Sequence, residues 1–593
     1  MAQAYDRIGF AGCRRRLFVP ELSPPDGRGQ PIILLVSMGL LLFVLVGYLS
    51  QHPLPVSAAV SDSPGIVGRL VDPQGEAVRN AEVVVYLDGG EQSVAAEESQ
   101  ADGSFTLDLP SGPIESLRVD IARPHFQSTT WTAGPDELAL LRQGATVRLA
   151  DITLERRITP GFWIATLTFV SVLLLIALER LHNTMAALLG AFIILGVSFV
   201  GRPLNPDLFI FDFEQALQYV DFDVIFLVLG MMIVVGILET TGIFQWMAYQ
   251  AYRLSRGRAW LLVIILMLLT AVASAMLDNV TTMLLMVPIT LEIALALGIN
   301  PRSLILPEVM ASNIGGISTL IGTPTNILIG SYADIGFSDF LINLTPGVLM
   351  ALAALTVYVL VVYRHEYRAA ALELSPALLE RLKEDGRITR PKTLGKAGAI
   401  FILMLVVFVA GEQIHLVAAV TAMLGAVFML LVVEPDIDEM LKVVDWTTLM
   451  FFIALFMVIG AIQEVGLISI IAVGIKRLVG DNLNLALLVI VWAGAFMSGL
   501  IDNIPFTAAM LPVVGFLSKT IPGASNKALF YGLSVGAAMG GNSTLIGASA
   551  NMVTAGITER AGYRISYMRF LKIGLPATII TVAMGTIWLL IRF

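Results

Sequence analysis

A twelve-residue motif of glycines and small polar residues occurs twice in this chain, each time within apolar sequence. The first copy is Gly315-Gly316-Ile317-Ser318-Thr319-Leu320-Ile321-Gly322-Thr323-Pro324-Thr325-Asn326. The second is Gly540-Gly541-Asn542-Ser543-Thr544-Leu545-Ile546-Gly547-Ala548-Ser549-Ala550-Asn551, identical at eight of the twelve positions. Other motifs repeat in step with it. Leu277-Asp278-Asn279 recurs as Ile501-Asp502-Asn503, each with a proline ten residues after the aspartate (Pro288 and Pro512). Val220-Asp221-Phe222 recurs as Val444-Asp445-Trp446, and Gly236 and Gly242 as Gly460 and Gly466. The offset is 224 residues at the earlier motifs and 225 at the last. Shared hydrophobicity reproduces apolar runs, not polar residues in one register, so the chain holds two copies of one folding unit.

That unit is built for lipid. Of the 593 residues, 56% are hydrophobic and 14% charged, against about 25% charged in soluble domains, and the mean hydropathy is +0.81. The reading is an all-α polytopic membrane protein of about eleven transmembrane helices, with two re-entrant hairpins and inverted repeats. Residues 160–363 form membrane repeat 1, 364–396 a charged cytoplasmic linker and 397–593 membrane repeat 2. Apolar spans fall near 162–180, 184–201, 222–243, 303–330 and 342–363, then near 397–411, 417–433, 446–463, 528–553 and 573–591. The stretches 258–296 and 484–520 are interrupted by the Asp-Asn tips and read as hairpins.

The first part of the chain differs. Residues 1–30 are polar, with Arg14, Arg15 and Arg16 adjacent, and an apolar run at 31–50 is long enough to span a bilayer. Its length favours a retained signal anchor; a signal peptide cleaved near Val56-Ser57-Ala58-Ala59 is the alternative. Residues 61–158 carry short alternating runs between turn signals, at Gly65–Asp72, Ala81–Leu87 and Ser104–Leu109, which predict a small β-sandwich. From Gly68 onward, and at the later Asp102-Gly103-Ser104-Phe105, this segment resembles the carboxypeptidase regulatory-like domain. The resemblance concerns fold and says nothing about activity; the segment reads as a stability or docking module.

Each repeat makes five full crossings, an odd number, so the second must run inverted relative to the first. Inverted repeats with interrupted helices at the bilayer midplane mark secondary transporters. With the N-terminus cytoplasmic, inside segments carry 23 Lys and Arg and outside segments six, the β-domain set aside. By the positive-inside rule the β-sandwich and the C-terminus are then extracytoplasmic in a multi-pass protein of the cell inner membrane. Lys476-Arg477 is the local exception.

Carboxylates within a membrane cost about 2.5–3.5 kcal/mol on insertion scales, yet Asp278 and Asp502 sit at equivalent places in long apolar stretches. Each is placed to cap the helix that follows. A hairpin tip also gathers free carbonyls and N–H groups, so Asp278 with Asn279 and Asp502 with Asn503 offer hard oxygens suited to Na⁺ or to a proton. Ser318, Thr319, Ser543 and Thr544 add hydroxyls, Gly315, Gly322 and Gly547 let the chain leave helical geometry, and Asn326 and Asn551 close each motif. Close helix packing is the competing explanation for small residues, but an isolated glycine suits it better than a duplicated motif. The halves also differ: Thr281-Thr282 faces Pro505-Phe506, with Thr507 following, and Thr323-Pro324-Thr325 faces Ala548-Ser549-Ala550. Glu308 has Leu533 at its counterpart position and is either a coupling proton site or a buried structural carboxylate.

Leu277-Asp278-Asn279-Val280-Thr281-Thr282-Met283, Glu308-Val309 and Ser312-Asn313-Ile314-Gly315-Gly316 resemble the ion transporter superfamily. The nearest branch is that of the melanosomal P protein, the arsenite permeases and the NhaD-type sodium/proton antiporters; citrate and dicarboxylate/sodium symporters are more distant. The resemblance covers residues 160–593. It implies a homodimer with elevator-like alternating access, and ion sites at the hairpin tips and broken helices, with Asn313 and Asn542 beside them. The P-protein pattern has an acidic residue and two prolines after the Ile-Gly, where this chain has Thr323-Pro324-Thr325; the dicarboxylate branch has a Ser-Asn-Thr tip, where this chain has Asp-Asn.

The expected function is secondary active ion transport, by Na⁺/H⁺ antiport or ion-coupled anion permeation. No cofactor is expected beyond Na⁺ or H⁺ as coupling ion, and the expected partners are a small inorganic ion or small organic anion, membrane lipid and a second copy of the chain. Alternatives are an arsenite or anion channel-like permease, a sodium-coupled dicarboxylate symporter, or a membrane receptor using the external β-sandwich. The single cysteine, Cys13, excludes an internal disulfide or a Cys-based metal site. There is no basic stripe for nucleic acid, and no nucleophile–base set supports an enzyme.

Overall fold

The computed structural model describes residues 65–593 apart from 74, 91, 111–113, 179, 370–379, 381–382 and 385. The polar N-terminus 1–30, the apolar run 31–50, the candidate cleavage site and part of the 364–396 linker lie outside the described residues. The chain divides into two compact units, Met1–Glu155 and Arg156–Phe593.

In the first unit, β1 (Gly65–Val71), β2 (Glu82–Leu87), β3 (Ala95–Glu98), β4 (Ser104–Asp108), β5 (Leu117–Ala122), β6 (Thr129–Thr132), β7 (Val147–Arg148) and β8 (Ile152–Thr153) form two sheets, with helix α1 (Pro135–Arg142) before β7. One sheet runs β4-β1-β7 with β8 also on β1; the other runs β3-β2-β5-β6. Alternation places Ile66, Leu70, Val83, Val85, Phe105, Val119 and Ile121 in one core. A Cβ on Gly68 would lie 2.5 Å from the Phe105 ring, so the glycine makes room for the aromatic across the pair. The runs read from sequence correspond to β1, β2 and β4; β3 and β5–β8 lie outside them.

The second unit is helical: α2 (Pro160–Ala177), α3 (Asn183–Gly201), α4 (Phe213–Gln218), α5 (Phe222–Glu239), α6 (Ile243–Ser255), α7 (Ala259–Met276), α8 (Asn279–Ala296), α9 (Arg302–Gly315), α10 (Pro324–Ala333), α11 (Phe337–Val362), α12 (Arg364–Ala369), α13 (Pro391–Gly411), α14 (Ala418–Val433), α15 (Ile437–Val443), α16 (Trp446–Glu464), α17 (Leu467–Val479), α18 (Leu483–Ser498), α19 (Asn503–Thr520), α20 (Ala528–Gly540), α21 (Ser549–Arg560) and α22 (Tyr567–Arg592). Helices α2–α11 and α13–α22 are ten matched pairs. The starts of α4, α5, α6, α7 and α8 recur 224 residues later in α15 to α19, and that of α10 recurs after 225 in α21. The duplication thus extends from motif to helix.

Among the described residues nine helices are long and apolar enough to cross a membrane: α2, α3, α5, α7, α8, α11, α13, α16 and α22. The set differs from the spans read in sequence for three reasons, the first being that α14, in the 417–433 span, has 16 residues and falls short of the others. The hairpin arms α7 and α8 have full crossing length, 18 residues each, although they read as re-entrant. The 303–330 and 528–553 spans are each broken into two short helices, α9–α10 and α20–α21. The sequence reading also passed over α6 and α17. Each follows a glycine in left-handed geometry, Gly242 at φ +79° or Gly466 at φ +90°. Each buries matching residues, Phe244 and Ala248 in one and Ile468 and Ala472 in the other.

Packing is crosswise. Helix α5 lies on α14 and α3 on α16; α8 lies on α21 and α10 on α19. A two-fold relation between the halves produces this exchange of partners. Within each half a hairpin arm grips the first broken helix, α7 on α9 and α18 on α20. From Ser303 to Gly315, and all along α20, every residue is buried. Helices buried on every side belong at the centre of such a bundle, whereas α2 and α13 leave Leu167, Leu174, Ile402 and Val406 exposed as an apolar stripe.

Small residues set the central contacts. A Cβ on Gly315 would fall 2.5 Å from the Ala271 Cα, and one on Gly540 would fall 2.5 Å from the Ala495 Cα, its counterpart. Gly315→Ala and Gly540→Ala should each cost about 1–3 kcal/mol by overpacking, read from the unfolding midpoint of the purified protein. Gly474→Ala, which meets nothing within 4 Å, should change it by less than about 0.5 kcal/mol.

Candidate functional site

Each hairpin turns at its aspartate. Asp278 is the N-cap of α8 and accepts from the Thr281 amide at 2.8 Å; the Thr281 hydroxyl also donates to it. Asp502 is the N-cap of α19 and accepts from the Ile504 amide at 3.0 Å and the Ser549 hydroxyl at 2.6 Å. Asp502 is 2% exposed and Asp278 half-buried. Neither lies in an open loop. Each carboxylate has one hydroxyl partner, but a different one. Thr281 comes from the same hairpin and its counterpart is Pro505; Ser549 comes from the facing half-helix and its counterpart is Pro324. Proline supplies no hydroxyl in either half, so the two exchanges compensate.

Opposite the tips, the broken helices hold their unwound loops shut with one amide each. Asn326 Nδ2 donates to Ile317 O at 3.0 Å and Thr319 O at 2.8 Å. Asn551 Nδ2 donates to Gly541 O at 2.8 Å and Thr544 O at 2.9 Å. The loops are pinned to the hairpins by threonine: Thr319 Oγ1 donates to Ala275 O, and Thr544 Oγ1 donates to Gly499 O at 2.7 Å. Ser274 Oγ donates to Ser312 O at 2.8 Å and Ser498 Oγ to Ala537 O at 2.5 Å. Apart from the Ile317 contact, these bonds are equivalent pairs under the repeat offset, the Gly541 bond being matched by a longer one of 3.5 Å from Asn326 Nδ2 to Gly316 O. Buried backbone outside a helix needs partners, and the duplicated side chains supply them. Gly322 and Gly547 permit the close return of the chain, each nearest to the backbone of Gly316 or Gly541.

The halves meet through an amide chain. Asn279 Nδ2 donates to Asn313 Oδ1 at 2.9 Å; Asn313 Nδ2 donates to Asn542 Oδ1 at 2.8 Å and Asn551 Oδ1 at 3.0 Å. Asn542 Nδ2 returns to Met310 O at 3.2 Å, and Ser534 Oγ donates to Asn326 Oδ1 at 2.6 Å. The first tip, α9 and the second broken helix therefore form one connected polar centre. Asn313, Asn326 and Asn551 are wholly buried.

The remaining candidates fall around this centre. Pro324 is at the first turn of α10, where its missing N–H costs nothing. Thr323 caps α10, accepting from the Asn326 amide at 3.2 Å, and its hydroxyl pairs with that of Thr325 at 2.8 Å. Ser543 Oγ donates to Gly540 O at 2.8 Å. Thr282 and Thr507, the fourth residue of α8 and the fifth of α19, have buried hydroxyls without a hydrogen-bond partner. Asn503 and Ser318 are buried. Glu308 lies deeper between the hairpin arms, accepting from Thr270 at 2.8 Å and Thr290 at 3.1 Å. Sequence reasoning did not select Ser274, Ser498, Ser312, Ser534 or Ser549. The recurrence of Ser274 as Ser498 at the 224-residue offset was the available signal.

This arrangement defines a polytopic membrane transporter fold: duplicated hairpins and broken helices around a buried polar centre. Residues 173–525 match the family described as citrate transporter, and the chain belongs to that family. It is 38% identical to an uncharacterized transporter of Mycobacterium tuberculosis, over 72% of this chain and 98% of that protein. It is 34% identical to the P protein of Homo sapiens, over 85% of this chain and 70% of that one. Among solved structures it is similar to the crystal structure of the YdaH transporter of Alcanivorax borkumensis, with a TM-score of 0.48 and 14% identity, over 72% of this chain and 97% of that one.

Removing a closing amide tests the geometry. Asn326→Ala strands the Ile317 and Thr319 carbonyls, at about 1–3 kcal/mol for each buried acceptor left without a donor. Denaturant titration of the purified protein should show that loss, and Asn326→Asp, which keeps the oxygen but not the donor, should not restore it.

Proposed function

We propose that this protein is a secondary active transporter that moves a small ion by alternating access, with coupling cations held at the Asp278/Asn279 and Asp502/Asn503 tips. The observation that carries this reading is the pair of N-capping aspartates at the hairpin tips, Asp502 buried and bonded to the facing half-helix and Asp278 half-buried, in a fold with broken helices of the kind found at midplane sites. A capping role alone is also served by serine or threonine. Carboxylates at both tips are costly in a membrane, and a cation that binds and leaves gives that cost a use.

The chemistry follows from the donors. Each aspartate keeps lone pairs beyond its hydroxyl and amide partners, and Thr282 and Thr507 hold unclaimed hydroxyl oxygens near the starts of the helices that the aspartates cap. Such hard oxygen sets suit Na⁺, or a proton on the carboxylate. The N-termini of α10 and α21 point their N–H groups at the breaks, which favours an anion there once a cation has neutralised the tips. The citrate transporter description of the family supports a small organic anion as substrate, and the paired aspartates support Na⁺ or H⁺ as its driver. On this reading the protein works in the inner membrane as a homodimer with its N-terminus inside and its C-terminus and β-unit outside, the β-unit a small sandwich serving stability or docking; the excess of Lys and Arg in the inside segments supports that orientation. Na⁺/H⁺ antiport is the second reading, favoured by the same aspartates acting without an anion.

Reconstituted vesicles decide this. Under imposed Na⁺ or pH gradients, vesicles should accumulate radiolabelled citrate or Na⁺ against its gradient. Asp278→Asn and Asp502→Asn should each drop uptake to the level of protein-free vesicles while eluting as folded protein. Wild-type uptake by either variant contradicts the assignment of that residue, and flux only down gradients contradicts coupling.

A further inference from the structure

Glu308 is wholly buried between the arms of the first hairpin. Thr270 on α7 and Thr290 on α8 both donate to its Oε1, while Oε2 has no hydrogen-bond partner. The repeat supplies a control for what the fold itself requires. At the equivalent positions of the second half stand Gly494, Val514 and Leu533, packed in the same helix pairing of α18 with α20. All three polar residues are thus replaced by apolar ones where the backbone arrangement is the same. Packing does not call for a carboxyl group here, and a purely structural acid would have both oxygens engaged.

No cation faces it. Helix α7 carries no ionisable residue. On the other helices that pack on α9, the ionisable groups are Glu292 on α8, Asp339 and Tyr358 on α11, Tyr531 on α20, and Glu559 and Arg560 on α21; Arg302 lies on α9 itself. None bonds to Glu308, and Glu292, Glu559 and Arg560 are exposed. One turn along α9 from Glu308, Ser312 has a buried hydroxyl with no partner, and its carbonyl accepts from Ser274. The next residue is Asn313, the hub of the amide chain. Glu308, Ser312 and Asn313 thus follow one another along α9 toward the candidate ion centre, without a hydrogen bond between them.

We propose that Glu308, held by Thr270 and Thr290, is a site for a single exchangeable proton that exists in one half of the transporter only. The ligand is H⁺: it is taken onto Oε2 and released from the same atom, with no other bond made or broken. The site rests on the transport reading for its purpose, not for its existence. It makes the two halves chemically unequal, since the position between the hairpin arms holds a carboxyl group in the first half and Leu533 in the second.

Two measurements separate the claims. Infrared spectra of the purified full-length protein should contain a protonated-carboxyl band that shifts in D₂O, and Glu308→Gln should remove it. A wild-type protein without the band, or a variant that keeps it unchanged, overturns the proton site whether or not transport occurs. In vesicles loaded with a pH-sensitive dye, wild-type protein should move protons when citrate or Na⁺ is added outside. Glu308→Gln should lose that signal to the level of protein-free vesicles while still exchanging radiolabelled citrate or Na⁺ across the membrane, and Glu308→Asp should regain part of it. Wild-type proton movement by Glu308→Gln overturns the proposal; so does loss of exchange in both variants, since that marks a packing role. If the band behaves as expected but wild-type vesicles move no probe, the transport reading fails and the proton site stands.

Discussion

The central constraint is that a helix broken inside an apolar bundle exposes carbonyls and N–H groups that water cannot reach. Each orphan costs about 1–3 kcal/mol, so two breaks left unsatisfied would use up much of a fold's marginal stability. Asn326 and Asn551 answer this by donating into their own loops while their Oδ1 atoms accept from the opposite half. Thr319 and Thr544 add a second tie to the hairpins. The polar residues of the motif are therefore first a solution to backbone burial. A binding centre is what that solution leaves behind, because such loops line a space where hard oxygens converge.

Duplication explains the similarity of the halves, and the departures from it carry the specificity. Asp278 takes its hydroxyl from Thr281 and Asp502 from Ser549, so the second tip is tied to its half-helix and the first is not. Glu308 has no acidic counterpart, and the amide chain runs from the first tip into the second break. An asymmetric centre inside a near-symmetric frame is suited to a substrate that lacks two-fold symmetry.

Much of this was legible in the sequence because polar residues inside a membrane segment are few and their register is informative. Asp278, Asp502 and the two glycine-rich motifs announced the hairpins, the breaks and the repeat. The helix breaks at Gly315 and Gly540 were expected from glycine and appear as such. Three things were hidden. Helices α6 and α17 carry a mixed, half-buried pattern that hydropathy does not isolate. Single serines such as Ser534 and Ser549 gain meaning only from a partner more than 40 residues away. The strands β7 and β8, two residues each, are too short for any periodicity.

The most direct measurement is a double-mutant cycle between Asn313 and Asn551, which belong to different halves and share one 3.0 Å hydrogen bond. Unfolding free energies of Asn313→Ala, Asn551→Ala and the double variant should be non-additive by about 0.5–3 kcal/mol, as for residues in one buried network. Additive effects would mean that the two breaks do not share a centre, and the common site would have no basis.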